Sequence, residues 1–251
     1  MKKDEKALKI LGLDSSGMVA GVAVVEDDIL LAEYTTNYKK THSQTLLPML
    51  EEIRDMIELD LDTLDAIAVA SGPGSFTGLR IGAATAKGLG LALQKPLVEV
   101  PTLEGLAYNL CGVPQLVCPL IDARRSQVYT GIYTFEKKEQ SYHLQTVEPQ
   151  CAVDVEEILD RLNELEQEVI FLGDGVPVYR ETIAKKLKVP YGFAPASDNR
   201  QRAASIATLG AEYFRQGKTV TAAAHQPEYL RKSQAEREAE RKEMRAGNDR
   251  I

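Results

Sequence analysis

Residues 67–82 read Ile67-Ala68-Val69-Ala70-Ser71-Gly72-Pro73-Gly74-Ser75-Phe76-Thr77-Gly78-Leu79-Arg80-Ile81-Gly82. The apolar run over 64–70 has the character of a strand buried on both faces. It breaks into a glycine-rich turn and opens a long helix over 79–93. A strand feeding a helix through such a turn points to alternating α/β architecture. Gly72, Gly74 and Gly78 allow close backbone approach, and Ser75 or Thr77 can cap the helix. The free N–H groups of a helix start can hold an anion. The stretch lacks the Walker lysine and is not a G-x-G-x-x-G fingerprint, so a phosphate loop and an ordinary tight turn both fit it.

Working outward, residues 9–13, 19–25 and 29–36 read as three strands joined by short turns, with Asp14-Ser15-Ser16-Gly17 closing the first. A helix follows from Ser43, with Leu46, Met49, Leu50, Ile53, Met56 and Ile57 at helical spacing and Pro48 in its first turn. After the 79–93 helix come a strand over 97–100 and a helix over 102–109. The order then recurs: strands over 116–121, 127–135 and 141–147, a helix over 155–165, a strand over 168–172 and a helix over 177–187. Val128, Thr130, Ile132 and Thr134 alternate with Tyr129, Tyr133 and Phe135. Asp14 and Asp122 stand at matching places, each just past the first strand of its set. A final helix spans 203–216. This doubled β-β-β-α-β-α order implies two lobes of the actin/Hsp70/sugar-kinase (ribonuclease H-like) fold, with a ligand cleft between them. The expected division is 1–101, 102–222 and a C-terminal loop and charged tail over 223–251.

The chain has 251 residues, 44% of them hydrophobic, enough for two cored lobes. Its net charge of −7 disfavours unselective binding to phosphate backbones. Cys111, Cys118 and Cys151 lack metal spacing and read as small hydrophobes of a reducing compartment. Without a signal peptide's apolar region or an 18-residue apolar run, the chain reads as soluble and cytoplasmic. The tail after Arg231 is charged on all sides and reads as a solvated helix.

Few residues offer catalysis. His42, His143 and His225 sit in no nucleophile–base arrangement, and G-x-S-x-G is absent. Asp14 and Asp122 would face each other across the cleft, where paired carboxylates can hold magnesium. The candidate cofactor-binding set is Asp14, Ser15, Gly72, Gly74, Ser75, Gly78 and Asp122. In the 79–93 helix, Gly78, Gly82, Ala86 and Gly90 recur every four residues beside Ala83. Interior glycines cost about 1 kcal/mol each against alanine, so another backbone must come close, from the same chain or another subunit.

The glycine-rich stretch resembles the signature of the TsaB (YeaZ) family. Ile10-Leu11-Gly12-Leu13-Asp14-Ser15-Ser16, His42-Ser43-Gln44-Thr45-Leu46-Leu47-Pro48, Pro119-Leu120-Ile121-Asp122-Ala123-Arg124-Arg125, Gly173-Asp174-Gly175 and Pro227-Glu228-Tyr229-Leu230-Arg231 match in order. The resemblance covers about residues 9–231. It implies a non-catalytic subunit that binds and activates the catalytic paralogue TsaD, works with TsaE, meets tRNA only through the complex, and forms a homodimer in isolation. The modified base is the adenosine next to the anticodon in tRNAs reading codons that begin with A. No tightly bound cofactor is expected, only weak binding of ATP or ADP, to the isolated chain or only with the partner present. The implied partner surface is His42, Leu46, Leu50, Ile53, Leu79, Gly82, Ala83, Ala86 and Gly90. The paralogue's paired metal-ligating histidines are replaced by Thr102 and Leu106, which cannot chelate. An ATP-dependent phosphotransferase using Asp14, Asp122 and the 72–78 loop is the alternative.

Overall fold

The structure is a computed structural model describing residues 6–38 and 42–231; the expected tail helix lies outside the described residues. β1 (Lys9–Asp14), β2 (Ala20–Glu26) and β3 (Ile29–Thr36) form an antiparallel meander, and β4 (Ala66–Gly72) and β5 (Leu97–Pro101) add parallel strands in the order β3-β2-β1-β4-β5. The second sheet repeats this plan. β6 (Leu116–Arg124), β7 (Gln127–Lys138), β8 (Ser141–Asp154), β9 (Val169–Leu172) and β10 (Tyr191–Phe193) lie in the order β10-β9-β6-β7-β8. Among the described residues six α-helices join them: α1 (Leu46–Met56), α2 (Phe76–Ala92), α3 (Thr102–Tyr108), α4 (Val155–Leu165), α5 (Gly175–Lys186) and α6 (Ala203–Arg215). This is the actin/sugar-kinase-like arrangement expected from the doubled pattern.

β1 and β4 are buried on both faces because helices cover both sides of the first sheet. Leu11, Leu13, Ile67 and Val69 pack with Leu46, Met49, Leu50 and Ile53 of α1. Ile10, Ala66 and Ala68 pack with Ile206, Ala207 and Leu209 of α6. The alternation of β7 divides as read: Val128 and Ile132 join one core, while Tyr129, Tyr133 and Phe135 face another with α3.

Three expectations change. The helix over 203–216 was placed with the second lobe, yet α6 packs across the first sheet, and Val220 and Ala222 close on β5 and the first core. The third helices are thus exchanged, since α3 packs with Leu103 and Leu106 against Val117, Ile121 and Tyr133 of the second sheet. The third strand of the second lobe, expected to stop at Val147, runs on to Asp154. Pro149 is tolerated because β8 is an edge strand and its register with β7 slips between the Thr130–Cys151 and Ile132–Glu148 pairs. The short β10 was not foreseen.

Candidate functional site

The lobes enclose a cleft of about 640 Å³. Its first-lobe wall is the 73–78 turn with Ser16, Gly17 and His42; its second-lobe wall is Asp122, Ala123, Arg124 and Asp174; residues 228–231 complete it. Ser75 caps α2 by accepting the Gly78 N–H, and its own N–H donates to the Ser16 carbonyl at 2.7 Å. The start of α2 is thereby bolted to the turn that follows β1.

That turn determines where the expected cofactor residues go. Gly74, Ser75, Gly78 and Asp122 line the cleft, whereas Asp14, Ser15 and Gly72 lie behind its surface. Asp14 is buried, and its Oδ1 accepts from the Ser16 N–H and Oγ–H at 2.8 and 2.7 Å. Burial pushes its carboxyl up to about 6, against the lowering pull of the Ser16 bonds. Ser15 Oγ donates to the Gly78 carbonyl at 2.8 Å. A Cβ at Gly78 would strike the Ser15 carbonyl, so close approach within the chain accounts for this glycine.

Opposite, Asp122 faces the cleft. Its Oδ1 accepts from the Arg124 N–H and the Tyr179 hydroxyl, and its own N–H donates to Asp174 Oδ1 at 3.1 Å. Burial raises the Asp174 carboxyl. Arg124, Arg125 and Ser126 all hold left-handed backbone, so the β6–β7 turn concentrates strain at the cleft rim. Across the cleft, on the first-lobe wall, His42 donates from Nε2 to the Gly17 carbonyl at 2.7 Å.

The row Gly78, Gly82, Ala86 and Gly90 is corrected from outer surface to core. A Cβ at Gly82 would meet Ser15 Oγ at 2.6 Å, and one at Gly90 would meet Leu97 Cδ2 at 2.9 Å and the Ala222 side chain. Ala86 is fully buried, and Leu79, Ala83, Leu46, Leu50 and Ile53 are buried as well. The close neighbour that the glycines call for is the chain's own β1 turn and β5. The outward faces of α1 and α2 present Leu47, Met56 and Leu91, exposed at 53%, 79% and 65%.

Thr102 and Leu106 serve the interior. Thr102 is fully buried and its Oγ1 accepts the Gly72 N–H at 3.1 Å, while Leu106 packs in the second-lobe core. Among the described residues no three His, Cys, Asp or Glu side chains gather as a metal site, and no helix is long and apolar enough to cross a membrane. Cys118 is a buried thiol pushed up to about 12 by desolvation. The reading of single residues missed the stack of Tyr229 on Phe76, with centroids 4.4 Å apart, because nothing local links positions so distant in sequence.

The family model described as TsaD, tRNA N6-adenosine threonylcarbamoyltransferase, matches residues 29–239. A Bacillus subtilis protein named tRNA threonylcarbamoyladenosine biosynthesis protein TsaB is 34% identical over 91% of this chain and 96% of its own. The Escherichia coli protein of the same name is 27% identical with the same coverage. A Pseudomonas aeruginosa crystal structure described as similar to peptidase YeaZ superposes with a TM-score of 0.72 at 25% identity, covering 89% of this chain and all of that one. The chain belongs to the TsaB (YeaZ) branch of the tRNA N6-adenosine threonylcarbamoyltransferase family.

Proposed function

We propose that this chain is the partner subunit of a tRNA threonylcarbamoyltransferase, binding and activating the catalytic paralogue TsaD rather than performing the transfer. One observation carries the reading: Thr102 and Leu106, which by the family resemblance stand where the paralogue has its metal-ligating histidines, are both committed to the interior. A leucine and a threonine hydroxyl already accepting a backbone N–H cannot chelate a metal as two imidazoles do. The family membership supplies the pathway. TsaE joins the same assembly, tRNA is reached through it, and the isolated chain pairs with itself. ATP or ADP binds only weakly at the cleft, and more firmly with the partner in place.

The outward faces of α1 and α2 form the partner surface, centred on Leu47, Met56 and Leu91. Exposed apolar side chains on two neighbouring helices suit an interface core. Leu91→Glu should leave the melting temperature unchanged, since surface substitutions stay within about 0.5 kcal/mol. Co-elution with TsaD should be lost, a charge in an interface core typically costing a few kcal/mol. Unchanged co-elution of Leu91→Glu and Met56→Glu variants would place the contact elsewhere. Failure of the parent chain to co-elute would remove the reading itself.

A further inference from the structure

We infer that residues 225–231 are a latch that sets the closure of the two lobes over the cleft, held firmly by the first lobe and releasable from the second. After α6 the chain pairs with β5 at Val220, and the segment that follows reaches the cleft. On the first lobe it has a row of anchors. The nearly fully buried His225 donates from Nδ1 to Glu99 Oε1 at 2.7 Å, and Lys87 Nζ donates to the His225 carbonyl at 2.8 Å. The Glu228 N–H donates to the Ser71 carbonyl at 2.7 Å, in effect extending the end of β4. The Glu228 carbonyl seats on Gly72, where φ is +124° and a Cβ would collide with it. Tyr229 stacks on Phe76, and the Arg80 guanidinium lies 4.2 Å from the Phe76 ring centre.

On the second lobe the latch makes two side-chain bonds. Arg231 Nη1 donates to the Ala123 carbonyl and Gln150 Nε2 to Glu228 Oε2, both at 2.7 Å. The lobes are joined covalently at the β5–α3 junction and again ahead of α6. Other bonds between lobes, among them Tyr213 to Glu104, His143 to Glu212, Ser205 to Asn109 and Gly72 to Thr102, involve no residue that lines the cleft. Widening the cleft therefore breaks the Arg231 and Gln150 bonds first, while the first-lobe anchors carry the latch with them. Because residues 228–231 form one cleft wall, release also removes part of what a ligand there would touch.

The test is a distance measurement between spin labels at Thr77 and Val178, exposed positions on opposite lobes, in a Cys111→Ser, Cys151→Ala background. With the latch intact, one narrow distance distribution is expected. The Gln150→Ala, Arg231→Ala double variant should melt like its parent and give a broader distribution extended to longer distances. The same narrow distribution in the folded double variant overturns the latch. If the double variant melts early, the single Arg231→Ala variant is judged by the same criterion.

Discussion

The turns after β1 and β6 occupy equivalent places in the two sheets, yet the molecule treats them oppositely. In the first lobe, Asp14 is buried, both following serines bond to the start of α2, and the space above them is filled by the chain's own helix. In the second, Asp122 opens on the cleft, braced by Tyr179 and followed by three left-handed residues. A duplicated topology preserves the position of a carboxylate but not its use. The first has become an internal brace and the second remains a surface group. A magnesium site built from both would need Asp14 at the cleft surface, where it does not lie.

Prying α2 off the first turn should do the most damage. Gly82→Leu places four carbons against Ser15, and overpacking of this kind should cost about 3 kcal/mol, the upper end of its usual range. At about 2–4 °C per kcal/mol for a chain of this size, the melting temperature should fall by roughly 6–12 °C. A variant that melts like its parent would mean that the row faces outward after all.

The second test uses pH. The folded pKa of Asp14, about 6, lies above its unfolded value of 3.8, so the native state holds the extra proton between them. Its contribution to stability therefore falls as pH rises from about 4 to 6, and the cost is present in full above 6. Two pKa units correspond to about 3 kcal/mol. Asp14→Asn keeps an oxygen for the Ser16 donors and removes the ionisation. Between pH 4 and 7, denaturant unfolding should show the variant gaining up to about 3 kcal/mol on the parent. Parallel curves would contradict the burial of a charged brace.

The mildest test sharpens the second-lobe side. Tyr179→Phe removes the hydroxyl bonded to Asp122 and to the Gln127 carbonyl, with a cost of about 1 kcal/mol. Thermal melting should show a drop of about 2–4 °C. A drop as large as that of Gly82→Leu would mean that this turn is as tightly built as the first.

The sequence patterns carried the two-lobe order because both strand and helix periods are local signals. They also showed that something must approach α2 closely. They did not show what, because the answer is a serine turn more than 60 positions earlier in the chain. For the same reason α6 was recognisable as a helix but not as a cover for the first sheet. Pro149 hid the second half of β8, since a proline argues against a strand unless the strand is known to be an edge. Within the cleft, Asp122 and the 74–78 turn were identifiable from turn chemistry. Residues 228–231 were picked out only as matching a family pattern, and their place in the wall comes from pairings such as Tyr229 with Phe76.

The proposed role is activation of a transferase by a chain that does not itself carry out the transfer. Reconstitution tests it directly: tRNA, threonylcarbamoyl-adenylate, TsaD and TsaE are incubated with and without the chain, and modified adenosine is quantified. Modification is expected only when TsaD and this chain are both present, and none from the chain alone. Modification by the chain without TsaD, or full activity of TsaD and TsaE without the chain, would contradict it.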